Sequence, residues 1–233
     1  EGTGILSTTS WPRAAGFRVS VREVKDASYR ALRADGYPWG EAQSAGRIAA
    51  TAEVLWSRGI TDICRDARRW RVHRRHPKIA RSGGMLSVKD PRKTSAMILG
   101  SHATVLALGH AGQIVLVKGS ADLRNVAAAI WDIQPTGAPM TWGSMSESKP
   151  ESYRVDELGN LFHNPDLSQI LPKLPMSKTG WFITEKSITG GELILSVTDR
   201  EIRINESLSS GVQVDPHSWR SLQKSARKFL VPE

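Results

Sequence analysis

The chain has 233 residues, 39% of them hydrophobic, a single cysteine and a formal net charge of +9. That apolar content can bury a core without staples, and the lone Cys64 excludes an internal disulfide framework and a cysteine-only metal site. The charge is localised: the run from Arg65 to Arg81, RDARRWRVHRRHPKIAR, sets eight Lys/Arg against one Asp and supplies seven of the nine charges, which points to an anionic partner.

Residues 1–19 read as an extended N-terminal segment. They show neither a basic start followed by a long apolar stretch nor a small-residue cleavage signal, so no secretory leader is read there. From Ser20 to Gly59 the pattern is a helical hairpin broken at Gly36 and Pro38. Ser20 with Glu23 forms a capping-box pattern, Val24, Ala27, Ala31 and Leu32 share a helical face, and Gly36 ends the helix. In the second helix Ala42, Ala45, Ile48, Ala49, Ala52 and Leu55 make a small-residue stripe suited to close packing. The basic run follows and reads as helix up to His76, because Pro77 disfavours helical geometry before it.

Beyond Gly84, MILGSHATVLALGHAGQIVLVKG reads as a buried helix followed by a strand, QIVLVKG being the strand on its β-branched content. ADLRNVAAAIWDI returns to helical spacing. The apolar stretch from Ala96 to Val117 is interrupted by Ser101, His102, His110 and Gln113, short of the ~20 unbroken residues that cross a bilayer. No membrane partner is expected, and the cysteine usage suits a cytoplasmic location. Residues 134–150, rich in Pro, Gly and Ser, read as a linker or mobile loop. KTGWFITEKS, GELILSVTD and REIRINESL then read as short strands, the first two as a hairpin around Gly190-Gly191. SWRSLQKSARKFL closes the chain as a basic amphipathic helix opened by Asp215-Pro216. The division expected is a segment over 1–19, a helical and mixed subdomain over 20–133 with the basic element at 65–81, a linker over 134–150, and a β-rich subdomain over 151–233.

The basic run interleaves Trp70 with Arg68, Arg69, Arg71, Arg74 and Arg75. Guanidinium groups hold planar oxyanions bidentately, and an aromatic among them can stack a base. Three readings stay open: a solvated or subunit-facing helix anchored by Trp70, a site for a small carboxylate or phosphorylated ligand, and a nucleic-acid track. His73 and His76 have a spacing that zinc sites use, but the surrounding guanidinium groups oppose a dication, so no metal is expected. His102 and His110 bracket the apolar stretch. His110, inside Gly109-His110-Ala111-Gly112, is the candidate general acid/base, since small neighbours let a substrate approach; the alternative is a core histidine with one hydrogen bond. Asp122 and Asp132 are the carboxylates that could orient it. Lys178-Thr179-Gly180, with Ser146 and Lys149 or Ser221 and Lys224, lacks the order and the S-D-N element of penicillin-recognising enzymes. G-x-S-x-G, P-loop and G-x-G-x-x-G signatures are absent.

Ser20, Glu23, Ala31, Gly36, Pro38-Trp39-Gly40, Ala42, Ala45-Gly46, Leu55 and Gly59, together with Trp219, Leu222, Ala226 and Val231-Pro232-Glu233 at the end of the chain, resemble a bacterial domain-of-unknown-function family, number 3726. The helical hairpin is also similar, more faintly, to the malate/L-lactate dehydrogenase family, in which an Ala-rich helix runs into a Gly-Ile-Asp-Ser-His-Gly turn. Here the turn reads Gly59-Ile60-Thr61-Asp62-Ile63-Cys64, without the histidine. That likeness implies an acid substrate and a nicotinamide cofactor, NADPH or NADH; apart from it the cofactor is unknown.

These features together predict a mixed α/β (α+β) fold: an N-terminal helical hairpin, a central mixed segment, and C-terminal antiparallel strands closed by a helix. The function expected is that of a cytoplasmic metabolic protein, enzyme or enzyme subunit, that binds a small carboxylate or phosphorylated ligand through Arg68, Arg71 and Arg75 on neighbouring turns. His110 is the acid/base if the protein is catalytic, and an acidic partner subunit or a nucleic acid is the competing occupant of the run. The sequence assigns no oligomeric state.

Overall fold

The computed structural model describes residues 17–70, 77–90, 95–119, 122–134, 137–146, 151–175 and 180–230. Strand β1 (Phe17–Val19) leads into α1 (Val21–Ala34), where the Ser20 side chain accepts from the Glu23 amide and the Glu23 carboxylate accepts from the Ser20 amide, a complete capping box. Asp35 caps its C-terminus, and Gly36 turns the chain at φ 93°. Helix α2 (Trp39–Trp56) buries the whole predicted stripe, including Ala42, Ala45, Ile48, Ala49, Ala52 and Leu55. It ends at Ser57, whose φ of 55° reverses the chain into α3 (Gly59–Trp70).

Strands β2 (Lys78–Ser82) and β3 (Met85–Lys89) form a hairpin over Gly83-Gly84. Helix α4 (Ala96–Leu108) connects β3 to its parallel neighbour β4 (Ile114–Lys118). Helix α5 (Leu123–Ile133) then returns the chain to β5 (Met140–Ser144). Four more strands, β6 (Ser152–Val155), β7 (Leu161–His163), β8 (Trp181–Thr184) and β9 (Glu192–Leu195), precede α6 (Val197–Ser210), β10 (Val212–Val214) and α7 (Pro216–Arg227). The order in the main sheet is β2-β3-β4-β8-β5-β6-β7-β9, and β1 pairs with β10 in a separate ribbon. The fold is mixed α/β, as the sequence predicts.

Val115, Val117, Trp181 and Ile183 face α4 and α5 on one side of the sheet, while Ile114, Leu116 and Phe182 pack on the other side against Ile170, Leu174 and Ile188. Helices α1, α2, α3 and α7 form an outer cluster on the backs of α4 and α5, through Ile98, Ala128 and Ala129. Gly100 permits the close approach of α4 to α5, since a Cβ there would lie 2.7 Å from the Ala129 methyl carbon.

Three expectations are corrected. REIRINESL belongs to α6, not to a strand. The alternation of Ile202 and Ile204 imitates a strand, but the Ser196 hydroxyl caps the Asp199 amide and Gly211, at φ 76°, closes the helix. The segments KTGWFITEKS and GELILSVTD form no hairpin: β8 lies between β4 and β5, and β9 pairs with β7. Burial explains the separation, because β8 is apolar on both faces and needs neighbours on both sides, whereas Leu193 and Ile194 of β9 are exposed at the sheet edge. Finally, Met140–Ser144, inside the expected 134–150 linker, is a central strand that buries Trp142. Strands from both expected subdomains share the main sheet, and α7 packs in the N-terminal helical cluster.

Candidate functional site

Because β3, β4 and β5 run in the same direction, their last residues collect at one end of the sheet. α5 begins there, as do β6 and β8. In sheets of this kind the crevice beyond the strand carboxyl ends is where ligands bind.

Register places three lysines side by side at this end. Lys78 is paired with Lys89, and Lys89 with Lys118, across β2, β3 and β4. Directly opposed residues share a face and lie about 5 Å apart. Val88 and Val117 point toward α4 and α5, so alternation sends Lys89 and Lys118 to the other face. All three lysines are exposed, and among the described residues none forms an ion pair. Like charges in adjacent register repel, and an anion in front of the row would relieve that cost.

On the α5 side of the same end, the indole of Trp142 donates to the Leu123 carbonyl at 2.8 Å and pins the start of α5 to β5. Tyr153, opposite Trp142 in register, stacks on it with centroids 5.8 Å apart and meets His163 at 4.9 Å. The Tyr153 hydroxyl donates to Glu151 and is also hydrogen-bonded to Arg124. Burial, followed by the Glu151 hydrogen bond, pushes the phenol up to about 12, so it acts here as a neutral donor.

Where α3 meets α5, Asp62 is fully buried and accepts from the Asn125 side chain at 2.8 Å. The Arg65 guanidinium lies 3.0 Å from Asp62 Oδ1, an ion pair out of line for a hydrogen bond, and Arg58 lies 3.7 Å away. Arg58 also reaches Asp122 at 3.5 Å, and the Asp122 side chain caps α5 at the Arg124 amide. Burial and then the Asp62 charge raise the Asp122 pKa. Glu53 of α2 accepts from the amides of Ile60 and Gly59 at the α3 N-terminus, and burial followed by the charges of Asp62 and Asp215 pushes it up to about 7.

The predicted site residues fall as follows. Arg68, Arg69 and Trp70 lie on the last turns of α3, while Arg71, Arg74 and Arg75 lie outside the described residues. Two members of the run lie at this end, since Arg65 pairs with Asp62 and Lys78 joins the lysine row, while Arg81 pairs with Leu86 toward the amino end of β3. His110 is not brought to the site. It follows α4 at the amino end of β4, roughly 13 Å of strand away, and its Nδ1 is 2.9 Å from the Leu106 carbonyl oxygen. Neither aspartate orients it, because Asp132 takes a bidentate bond from Arg47 and Asp122 is the α5 cap. His102 is exposed on α4, and His73 and His76 lie outside the described residues. The turn from Gly59 to Cys64 is the start of α3, and at the histidine position of the resembled pattern Ile63 is fully buried. Among the described residues no group of three His, Cys, Asp or Glu is placed to hold a metal.

Sequence reasoning missed Lys89, Lys118, Arg124 and Tyr153. A signal for the lysines was present, since both predicted strands end in Val-Lys, at Val88-Lys89 and at Val117-Lys118.

No family model matches the chain, so that comparison gives the domain-of-unknown-function likeness no support. No curated protein matches its sequence. Solved structures do match, and they show the fold of the malate and sulfolactate dehydrogenases. Malate dehydrogenase from Entamoeba histolytica is 9% identical with a TM-score of 0.62, over 94% of this chain and 99% of that one. Sulfolactate dehydrogenase from Methanocaldococcus jannaschii is 10% identical with a TM-score of 0.63, over 92% and 98%. Delta1-piperideine-2-carboxylate reductase from Pseudomonas syringae pvar. tomato is 12% identical with a TM-score of 0.50, over 90% and 99%.

Proposed function

We propose that this chain binds a small carboxylate or phosphorylated ligand at the carboxyl end of β3, β4 and β5, in a metabolic role, as enzyme or enzyme subunit. The observation that carries the reading is the unpaired row of Lys78, Lys89 and Lys118. Arg124 supplies a further donor at the same end, and we include Arg68, Arg69, Trp70, Arg71, Arg74 and Arg75 in the reading because Arg65 and Lys78 of the same run lie beside it. The fold neighbours support the carboxylate class, since each is named for a carboxylic acid.

A nicotinamide dinucleotide fits the described residues poorly. In each helix that enters this end one first-turn amide is already capped, Met97 by Ser95 in α4 and Arg124 by Asp122 in α5, and Asp122 sets a carboxylate where a pyrophosphate would have to lie. We derive no hydride step. His110 stays outside the proposal because it sits at the other end of the sheet.

The test is thermal unfolding of the native chain and of Lys89→Ala/Lys118→Ala with malate, sulfolactate, inorganic phosphate, NADH, NADPH and a single-stranded oligonucleotide, at low and high salt. A ligand at 100 times its dissociation constant adds roughly 2.7 kcal/mol. A shift with one small acid that survives salt and is lost in the double variant is expected. A shift with every polyanion that vanishes in salt would replace this reading with nucleic-acid binding.

A further inference from the structure

Helix α7 carries Arg220, Lys224 and Arg227, and Lys228 follows at its C-terminus. The first three stand at i, i+4 and i+7, one helical face, and all four are exposed, with no ion pair among the described residues. Arg30 of α1 is likewise exposed and lines the same groove. Between α1 and α7 lies a groove of about 380 Å³ that includes Ala27, Ala226 and the nearly buried Trp219, and it shares Gln223 and Arg227 with an adjoining groove of about 510 Å³ walled by Arg220 and Lys224. The α1 rim instead carries Glu23, bonded to Ser20, and Asp26, paired with Arg22.

We propose that the α1–α7 groove docks an acidic amphipathic helix of a partner protein. Carboxylates at i, i+4 and i+7 of such a helix repeat at the spacing of Arg220, Lys224 and Arg227, because any two α-helices share the 1.5 Å rise. Its small apolar side chains rest on Ala27 and Ala226, the helix-in-groove mode of recognition. The two rims differ in charge, which suits a helix acidic along one edge and opposes a uniformly anionic polymer. Trp219 is buried, so it offers no ring face for the stacking on which single-stranded nucleic acid binding depends. This surface is independent of the sheet-end site.

The experiment is fluorescence anisotropy of a labelled helical peptide of roughly 18 residues (five turns), with Glu at i, i+4 and i+7 along one edge and Ala and Leu on the adjoining face. A Glu-to-Gln peptide and a single-stranded oligonucleotide of equal charge are run in parallel. Saturable binding of the acidic peptide alone is expected, weakened about tenfold by Arg220→Ala/Lys224→Ala/Arg227→Ala. The same three positions changed to Glu should bind a Lys-bearing peptide instead; the Ala variant should unfold close to the native temperature because the side chains are exposed, and the Glu variant somewhat below it because Lys224 and Arg227 stand in the last turn of α7. No saturable binding of the acidic peptide, equal binding of the Gln peptide, or oligonucleotide binding as tight and as sensitive to the triple variant would each overturn the proposal.

Discussion

Glu53 is an acid buried to cap a helix. Its carboxylate spares the first amides of α3 from burial without a partner, and the cost is a carboxyl group pushed from 4.5 to about 7. The folded chain therefore holds a proton that the unfolded chain releases, so stability falls as pH rises from about 4.5 to about 7 and is level above. Glu53→Gln keeps an acceptor and removes the titration. We expect urea unfolding of this variant to lose that slope and to gain about 1 to 3 kcal/mol over native at pH 8. The neighbouring Gly59 answers a different constraint, since a Cβ there would lie 1.8 Å from the Ala49 carbonyl oxygen. Gly59→Ala must push α3 away from α2 and should cost about 3 kcal/mol in the same assay. The sequence places a glycine at this turn, but only the crossing of α2 and α3 shows that a methyl group does not fit.

At the scale of elements, the helices with strong local signals are the ones the sequence reveals. α1 has its capping box, α2 its small-residue stripe, and α7 its Asp215-Pro216 opening, where the Asp215 carboxylate accepts from the Ser218 amide at 2.7 Å. Asp215→Ala should lower stability by about 1 kcal/mol at neutral pH. That hydrogen bond depresses the Asp215 pKa, so the difference should shrink as acid protonates the cap. α6 escapes notice because only Arg200 of its residues is buried, leaving no apolar periodicity to read. The strands are harder still. Lys89 and Lys118 are each ordinary strand-end residues, and their adjacency follows only from the parallel register of β3 and β4. Lys118→Gln should raise stability at low salt by about 0.5 kcal/mol through relief of cross-strand repulsion and weaken the binding of malate or phosphate, a pairing of effects that a purely structural lysine would not show.

At the scale of the whole molecule, the first and last strands of the described residues are joined. β1 pairs with β10, and Arg18 donates to the carbonyls of Ser210 and Gly211. α7 then inserts Trp219, Leu222 and Ala226 into the cluster built by α1, α2 and α3. Trp219→Ala should cost about 3 to 5 kcal/mol. Because the same cluster rests on α4 and α5, calorimetry should show one transition moved to lower temperature, not a separate early melting of the last thirty residues or so. The expected β-rich subdomain over 151–233 thus has its final helix in the core of the N-terminal half, and its strands share a sheet with β2, β3 and β4.

The sequence by itself determined the mixed composition of helix and strand, the capping box of α1, the buried stripe of α2, the helical spacing of α5, the Asp215-Pro216 opening of α7, and the concentration of positive charge between Arg65 and Arg81, because each depends on residues a few positions apart. Tertiary structure alone decided that β8 lies between β4 and β5, that His110 and Lys78 sit at opposite ends of the sheet, and that Lys78, Lys89 and Lys118 stand in one row. Those outcomes depend on strand register and crossover direction, which are set by which apolar faces must be covered across the molecule and leave no local trace in the order of residues.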